Sequence, residues 1–263
     1  MPNPVGALFA RSNDDTTKTI AIAMLVAFVC AILVSTASVL LDPIQQAQIE
    51  AEQAARMEAM LDTLPGMREV MEEAGVTALE TRIVDLQTGQ FAPDIDPATY
   101  DFVAASSDPE LSVAIPTDAD LASIRQRPLY APVHLLERDG DLLLIVLPVY
   151  GSGYASTIRA MLALEPDLST VAALTITEQA ETPGLGARIT EPDWQGLWPG
   201  KELLNEDGDI VIQVVRGQAQ SVHEVDGLSG ATRTGDGVTF ALQFWMGPDG
   251  FGPFLDRLAE EGL

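Results

Sequence analysis

An uncharged apolar run near the N-terminus is the strongest feature of the hydrophobic pattern. Residues 19–41 contain no charged side chain and are mostly Ala, Val, Ile and Leu. As one helix, this run is long enough to cross a bilayer core of about 30 Å. A cleaved signal peptide is the alternative, because residues 35–38 are small, but the run is longer than the roughly 7–15 residues of a signal core. The pattern favours a retained transmembrane helix at 19–41, preceded by a tail at 1–18.

A helical pattern continues after the apolar run. Residues 42–64 are rich in Ala, Gln, Glu and Met, which favour helix formation, and Pro65-Gly66 ends the pattern. We therefore expect a juxtamembrane helix at 42–64 and a domain at 65–263. Arg11 and Lys18 precede the apolar run, which favours a cytoplasmic N-terminus and a domain outside the cytoplasm.

The domain itself is predicted to be an α+β fold. Short connections between 141 and 177 leave no room for crossover helices, so we expect one mixed, largely antiparallel sheet with helices. The proline-rich stretch 91–132 is expected to form loops. Strands are predicted at 77–86, 141–150, 156–164, 170–177 and 209–216, and helices at 238–246, ending at a left-handed Gly247, and at 254–261.

Composition excludes several classes of function. The chain of 263 residues has 39 acidic and 14 basic residues, a net charge of -25, so it will not bind nucleic acid. A single cysteine, Cys30, excludes an intramolecular disulfide. The two histidines, His134 and His223, lie far apart, and no standard glycine-rich nucleotide-binding motif is present. We expect no metal site.

Three loops of small residues follow predicted strands. They are Gly151-Ser-Gly-Tyr154, Glu181-Thr-Pro-Gly-Leu-Gly186 and Asp226-Gly-Leu-Ser-Gly-Ala-Thr232. In the last loop nothing bulky screens the Thr232 hydroxyl, and a following helix could offer N–H groups to a phosphate. Each loop alone is most simply a surface turn. Together they predict a shared pocket for a flat ligand, with polar contacts from Glu181 and Thr182 and apolar contacts from Leu185 and Tyr154.

These blocks resemble the C subunit of the Na+-translocating NADH:quinone reductases (NQR) of bacteria. The resemblance covers nearly the whole chain and includes Pro43-Ile-Gln-Gln, residues 181–186, residues 226–232 and Gly250-Phe-Gly-Pro-Phe254. In that family the last threonine of Asp-Gly-Leu-Ser-Gly-Ala-Thr carries FMN through a phosphoester bond, which implies Thr232 here. The other implied FMN contacts are Asp226, Ser229, Gly230, Ala231, Glu181, Thr182, Gly184, Leu185, Gly186 and Tyr154.

The resemblance also implies a function and a location. The chain would relay electrons one at a time from NADH toward ubiquinone within a complex that pumps Na+. Its single span would lie in the bacterial inner membrane, with a periplasmic flavin domain. Its partners would be the other membrane subunits and, during maturation, a flavin transferase. Thr232 would be a tether rather than a catalytic residue, and Thr234, outside the motif, would serve as its control.

Two other interpretations remain open at this point. The G subunit of an Rnf-type electron-transport complex uses the same covalent chemistry, although the block at 250–254 favours the quinone reductase. A membrane-anchored periplasmic binding or sensor domain without a cofactor would also explain the apolar run, the acidic domain and the loops. It does not explain why the motif at 226–232 occurs together with the block at 250–254.

Overall fold

The computed structural model describes residues 20, 22–32 and 79–263. The first of these segments is helical and carries exposed apolar side chains, with Met24 and Phe28 each 65% exposed. Among the described residues, no helix combines the length and the apolar character that crossing a membrane requires. The expected tail at 1–18, the helix at 42–64 and part of the run at 19–41 lie outside the described residues.

One six-stranded sheet forms the centre of the domain at 79–263. Its strand order is β1-β4-β5-β6-β7-β8, and every neighbouring pair is antiparallel. The antiparallel meander predicted from the short connections is therefore confirmed. Two small pairs stand apart, antiparallel β2–β3 and parallel β9–β10. The strands are β1 (Glu80–Asp85), β2 (Ser112–Ala114), β3 (Gln126–Pro128), β4 (Tyr130–Arg138), β5 (Asp141–Ser152), β6 (Thr157–Leu164), β7 (Thr170–Glu178), β8 (Lys201–Glu202), β9 (Gln213–Val215) and β10 (Glu224–Asp226).

Helices of the domain connect and cover the sheet. The longest, α3, packs against β5 and β9, and its Trp245 is fully buried and donates from Nε1 to the carbonyl oxygen of Tyr150 at 2.7 Å. This bond fixes the helix to the strand and satisfies the buried indole N–H. The helices are α1 (Phe102–Ala105), α2 (Pro192–Gln195), α3 (Thr232–Met246) and α4 (Gly252–Glu261), with a 3₁₀ turn at Gly186–Thr190.

Strand β4 is the main element that the sequence pattern did not predict. Residues 91–132 were expected to form loops, but β4 begins at Tyr130 and runs for nine residues between β1 and β5. Pro132 is tolerated because it pairs with Ile83 of β1, whereas the register with β5 begins only at His134. A proline is acceptable where one side of a strand has no ladder to donate to.

The strand expected at 209–216 is much shorter than predicted. Only β9 forms a ladder, outside the main sheet and parallel to β10, and Ile210 contributes a single bridge to Leu204. Helix α3 takes some of the other backbone bonds of this segment, and the carbonyl of Leu203 accepts from the N–H groups of Val211 and Ile212. The Thr239 hydroxyl accepts from the N–H of Val214 at 2.8 Å, and the Gln243 side chain donates to the carbonyl of Ile212 at 3.1 Å.

Helix α3 begins six residues earlier than predicted. The expected start was 238, but the helix runs from Thr232 to Met246, so the motif at 226–232 ends in its first turn. The prediction that Gly247 adopts a left-handed conformation is also wrong. Gly247 is extended, with φ -83° and ψ -175°, and the chain turns back so that the N–H of Phe251 donates to the carbonyl of Trp245 at 2.6 Å.

The early start of α3 depends on close packing against the end of β5. A Cβ atom placed on Gly237 would lie 2.6 Å from the carbonyl oxygen of Ser152 and 3.0 Å from the Cα of Gly153. One placed on Gly151 would lie 2.8 Å from the Cβ of Ala241. Both clashes involve backbone or Cβ atoms, which cannot rotate away. Glycine at these positions therefore sets the distance between helix and strand.

We expect Gly237→Ala to lower the free energy of unfolding by about 1–3 kcal/mol relative to Gly235→Ala, because the added methyl overpacks a backbone contact. Gly235 is the matched control. Both substitutions raise helix propensity equally, but a Cβ at Gly235 meets only the Val214 side chain, with its nearest methyl at 2.9 Å, and no backbone atom. Urea unfolding of the purified variants measures the difference. Equal stability of the two would show that the contact at Gly237 yields easily.

Candidate functional site

The loop at 226–232 is hydrogen-bonded to the rest of the domain at its first residue, and the hydroxyl of its last residue, Thr232, is exposed. The carbonyl of Asp226 accepts from Trp194 Nε1 at 3.0 Å, and its side chain accepts from the N–H of Ala219 at 2.7 Å. Gly230 then turns the chain with φ +79°, a conformation that favours glycine. Thr232 is the first residue of α3 and is exposed, and its hydroxyl has no hydrogen-bond partner among the described residues. The hydroxyl is thus accessible to a reaction partner.

A cavity of about 280 Å³ opens beside this hydroxyl. All three small-residue loops contribute to it, as the sequence predicted. Leu185 is 43% exposed and Tyr154 is 62% exposed, so the cavity offers apolar surface to a ligand. The lining residues are Tyr154, Glu181, Thr182, Leu185, Gly186, Gly230, Ala231, Thr232, Arg233 and Thr234.

Glu181 joins the three parts of this cavity. Its side chain is 4% exposed, and it is the only acidic residue among the buried side chains of the described part of the chain. One carboxylate oxygen accepts from the N–H groups of Ala155 at 2.9 Å and Ser156 at 3.0 Å, and from the Ser156 hydroxyl at 3.3 Å. The other accepts from the Thr234 hydroxyl at 2.7 Å and from the N–H of Tyr154 at 3.3 Å. Both carboxylate oxygens are therefore already hydrogen-bonded to groups of the protein.

Two glycines make room for this carboxylate. A Cβ on Gly153 would lie 2.6 Å from Oε1 of Glu181, and one on Gly186 would lie 2.9 Å from Oε2 and 2.5 Å from the Thr234 hydroxyl. Any larger residue at either position would push the carboxylate away from its donors. The glycines that the sequence assigned to ligand-facing loops thus also serve the packing inside them.

Glu181 is ionised at neutral pH. Burial raises the pKa of its carboxyl, but the hydrogen bonds from Thr234, Ala155, Ser156 and Tyr154 together hold that pKa below its ordinary value of 4.5. A pKa that is lower in the folded state adds stability above the unfolded value. That stability is lost as the pH falls through the lowered pKa. The site therefore keeps a buried negative charge under physiological conditions.

A second cavity, of about 250 Å³, lies on the other side of the motif. Strand β9 and the residues after it form its far wall, including Arg216, and Ser229 lies on the motif side. Gly230, Ala231 and Thr232 line both cavities. The end of the motif therefore forms a ridge between the two cavities, with Thr232 accessible from each.

The structure brings together most of the residues that the sequence assigned to the site, and separates two of them. Gly184 lines neither cavity and turns the loop with φ +74°, which places Leu185 next to the motif. A Cβ on Gly230 would lie 3.0 Å from a methyl of Leu185. Asp226 also lines neither cavity, because its carboxylate fixes the N–H of Ala219.

Three residues at the site were not assigned to it from sequence. Thr234 was expected to be a neutral control, but it is buried and bonded to Glu181, so it is part of the scaffold. Arg233 lies over the ring of Tyr154 at 5.8 Å, and Arg216 lies in the second cavity. Neither arginine forms an ion pair among the described residues. In a chain with only 14 basic residues, an arginine directly after the motif, Arg233, was the signal that the sequence offered.

The comparisons with known proteins agree with this geometry. The family described as FMN-binding domain matches residues 153–247, which include the second half of the first loop and all of the other two. The C subunit of the Na+-translocating NADH-quinone reductase from Pseudomonas aeruginosa is 40% identical over 94% of this chain and 97% of its own length. The chain belongs to this family of C subunits. The resemblance stated from the sequence is thereby confirmed, and the family is decided in favour of the quinone reductase rather than the Rnf G subunit.

Other members of the family support the same assignment. The C subunit from Yersinia pestis is 38% identical over 96% of this chain and 97% of its own length. The crystal structure of Shewanella oneidensis NqrC is 32% identical and covers 79% of this chain and 100% of its own, with a TM-score of 0.68. The sheet and helices described above are therefore the fold of this family.

We expect the two threonines of the first helical turn to differ in their effect on stability. Thr234→Val removes a donor from the buried carboxylate of Glu181 and should cost about 1–3 kcal/mol. Thr232→Val changes an exposed side chain and should stay within about 0.5 kcal/mol of the wild type. Urea midpoints of the two variants test this. A loss at Thr232 as large as that at Thr234 would contradict the assignment of the first as open and the second as structural.

Proposed function

We propose that this chain is the FMN-carrying electron-transfer subunit of a Na+-translocating NADH:quinone reductase, with FMN joined to Thr232 by a phosphoester bond. The observation that carries the proposal is the exposed Thr232 hydroxyl, which has no partner in the described structure and lies on the ridge between two cavities. Family membership and the match to an FMN-binding domain support the cofactor.

The attachment requires one bond to form and one to break. Thr232 Oγ1 attacks the FMN phosphorus of FAD, the phosphoanhydride bond to AMP breaks, AMP leaves, and the hydroxyl proton passes to a base on the transferase. A separate transferase supplies the catalytic groups and the metal. This chain supplies an open hydroxyl and the small residues Gly230 and Ala231 on its approach. Thr232 is thus the acceptor in maturation and a tether afterwards.

The charges around Thr232 suit a phosphodiester. Arg216 and Arg233 lie on opposite sides of the ridge without ion-pair partners in the described structure. The first turn of α3 also presents backbone N–H groups that have no partner inside the helix. Positive charge at a helix N-terminus and two guanidinium groups would offset one negative charge on the tether.

The cavity beside Glu181 is the place we propose for the isoalloxazine ring. Leu185 and Tyr154 offer apolar and aromatic surface, and Thr182 offers polar groups. A volume of about 280 Å³ lies just below the roughly 300–1,000 Å³ of clefts that enclose small ligands. The ring would therefore be covered on one side and open on the other, which permits electron exchange with a partner.

The flavin supplies the redox chemistry, and this chain supplies its position and electrostatic surroundings. We propose that the chain is anchored in the bacterial inner membrane by residues 19–41, with a cytoplasmic N-terminus and a periplasmic flavin domain. The exposed apolar side chains of residues 22–32 support the anchor, since large exposed apolar surfaces mark a membrane or protein contact. Its partners would be the other membrane subunits, which would hold the NADH site and the Na+ path.

Intact-mass measurement tests the tether. The full-length chain is produced together with a flavin transferase, as wild type, Thr232→Val and Thr234→Ser. We expect the wild type and Thr234→Ser to gain the mass of one FMN less one water, and Thr232→Val to gain nothing. Thr234→Ser is the matched control because it keeps a hydroxyl that can donate to Glu181. Flavin on Thr232→Val, or loss of flavin from Thr234→Ser alone, would place the tether elsewhere.

The same measurement addresses the remaining alternative. An anchored binding or sensor domain without cofactor predicts no mass gain in the wild type while the transferase remains active on another substrate. That outcome would refute the flavin carrier. Ubiquinone reduction by the purified complex then tests the direction of electron flow.

A further inference from the structure

Glu181 is the most enclosed charged residue at the site, and the proposed function assigns no role to its charge. Its carboxylate lines the cavity that we assign to the flavin ring. No arginine or lysine of the described part of the chain pairs with it, and all five of its hydrogen bonds come from neutral groups. The charge is therefore held in place but not neutralised.

We propose that Glu181 is the positioning residue of the flavin site, and that its uncompensated negative charge lowers the reduction potential of the bound flavin. The proposal rests on the proposed function, because it requires a flavin in the cavity that Glu181 lines. It goes further by assigning the control of the potential to one residue of this chain.

Glu181 can position the flavin site because it joins segments that lie far apart in the sequence. Its donors belong to residues 154–156, about 25 residues before it, and to Thr234, 53 residues after it. Thr234 lies in the same helical turn as the tether, and Tyr154 and Leu185 flank the ring cavity. A shift of the carboxylate would therefore move the tether and both ring-contacting side chains relative to one another.

The electrostatic part follows from charge and burial. A flavin held in this cavity would gain negative charge on accepting an electron without a proton. A carboxylate beside it, enclosed by the loops of Gly153 and Gly186, opposes that gain more strongly than an exposed carboxylate would. Hydrogen bonds from neutral donors weaken this effect without cancelling the charge.

Reduction potentials of the flavinylated full-length chain test the proposal. Glu181→Gln removes the charge and nearly preserves the shape, so it should shift the equilibrium toward reduced flavin about tenfold, or about 59 mV upward for a one-electron couple. Thr234→Val is the matched variant, because it removes a hydrogen bond from the same carboxylate but leaves the charge. Its potential should not rise.

Two results would overturn the inference. One is a Glu181→Gln potential equal to that of the wild type. The other is an equal rise in Thr234→Val, which would assign the effect to loop geometry rather than charge. Intact mass is measured first on every sample. Absence of flavin from the wild type contradicts the proposed function itself, whereas flavin on Thr232 with an unresponsive potential contradicts only the role of Glu181.

A second measurement covers the case in which Glu181→Gln does not fold. The wild type is labelled with ¹³C-glutamate and compared by infrared difference spectroscopy in its oxidised and reduced forms. Glu181 is the only glutamate that lines either cavity in the described part of the chain, so its carboxylate stretch should change on reduction with the isotope shift of the label. A difference spectrum without a label-dependent carboxylate band would also overturn the inference.

Discussion

The buried carboxylate of Glu181 is the interaction on which the arrangement of the site depends. It draws the loop after β5, the loop after β7 and the first turn of α3 to a single point, and each contributes hydrogen-bond donors or the acceptor itself. Gly153 and Gly186 are present because nothing larger fits beside it. Loops of small residues are ordinarily free to adopt several conformations. Here they are fixed by one charged group that cannot leave without losing five hydrogen bonds at once.

The scaffold delivers these loops through the contact between β5 and α3. Trp245 donates to the carbonyl of Tyr150, and the glycines at 151 and 237 let the backbones approach closely. The end of β5 therefore lies beside the start of α3, where Thr232 is exposed. A rigid scaffold with an open hydroxyl at its surface would suit the proposed flavin transferase, because that enzyme would have to reach the threonine without unfolding the domain. One helical turn thus contains both a buried threonine that stabilises the scaffold, Thr234, and the exposed threonine that we propose as the FMN acceptor, Thr232.

The local hydrophobic pattern of the sequence was sufficient to predict part of the fold. The runs that became β5, β6 and β7 were predictable because apolar residues in short segments with short connections can form little else. Strand β4 was not, since Pro128 and Pro132 break the pattern and only the one-sided pairing at Pro132 permits it. The first turns of α3 were missed because Gly235 and Gly237 are poor helix formers. The glycine at 237 is explained by packing against Ser152 and Gly153, which lie about 85 residues earlier in the chain.

The candidate site likewise contains features that the sequence could predict and features that it could not. The sequence could predict that the three small-residue loops share a cavity beside Thr232, whereas the contacts of these residues with a flavin stay a prediction. The roles of Thr234 and Asp226 could not, since the hydrogen bonds to Glu181 and Ala219 depend on the folded chain. The most direct test of the central claim is a crystal structure of the flavinylated protein. We predict continuous density from Thr232 Oγ1 to a phosphate, with the ring against Leu185 and Tyr154 above Glu181. Flavin density attached elsewhere, or a ring in the cavity beside Arg216, would contradict this account.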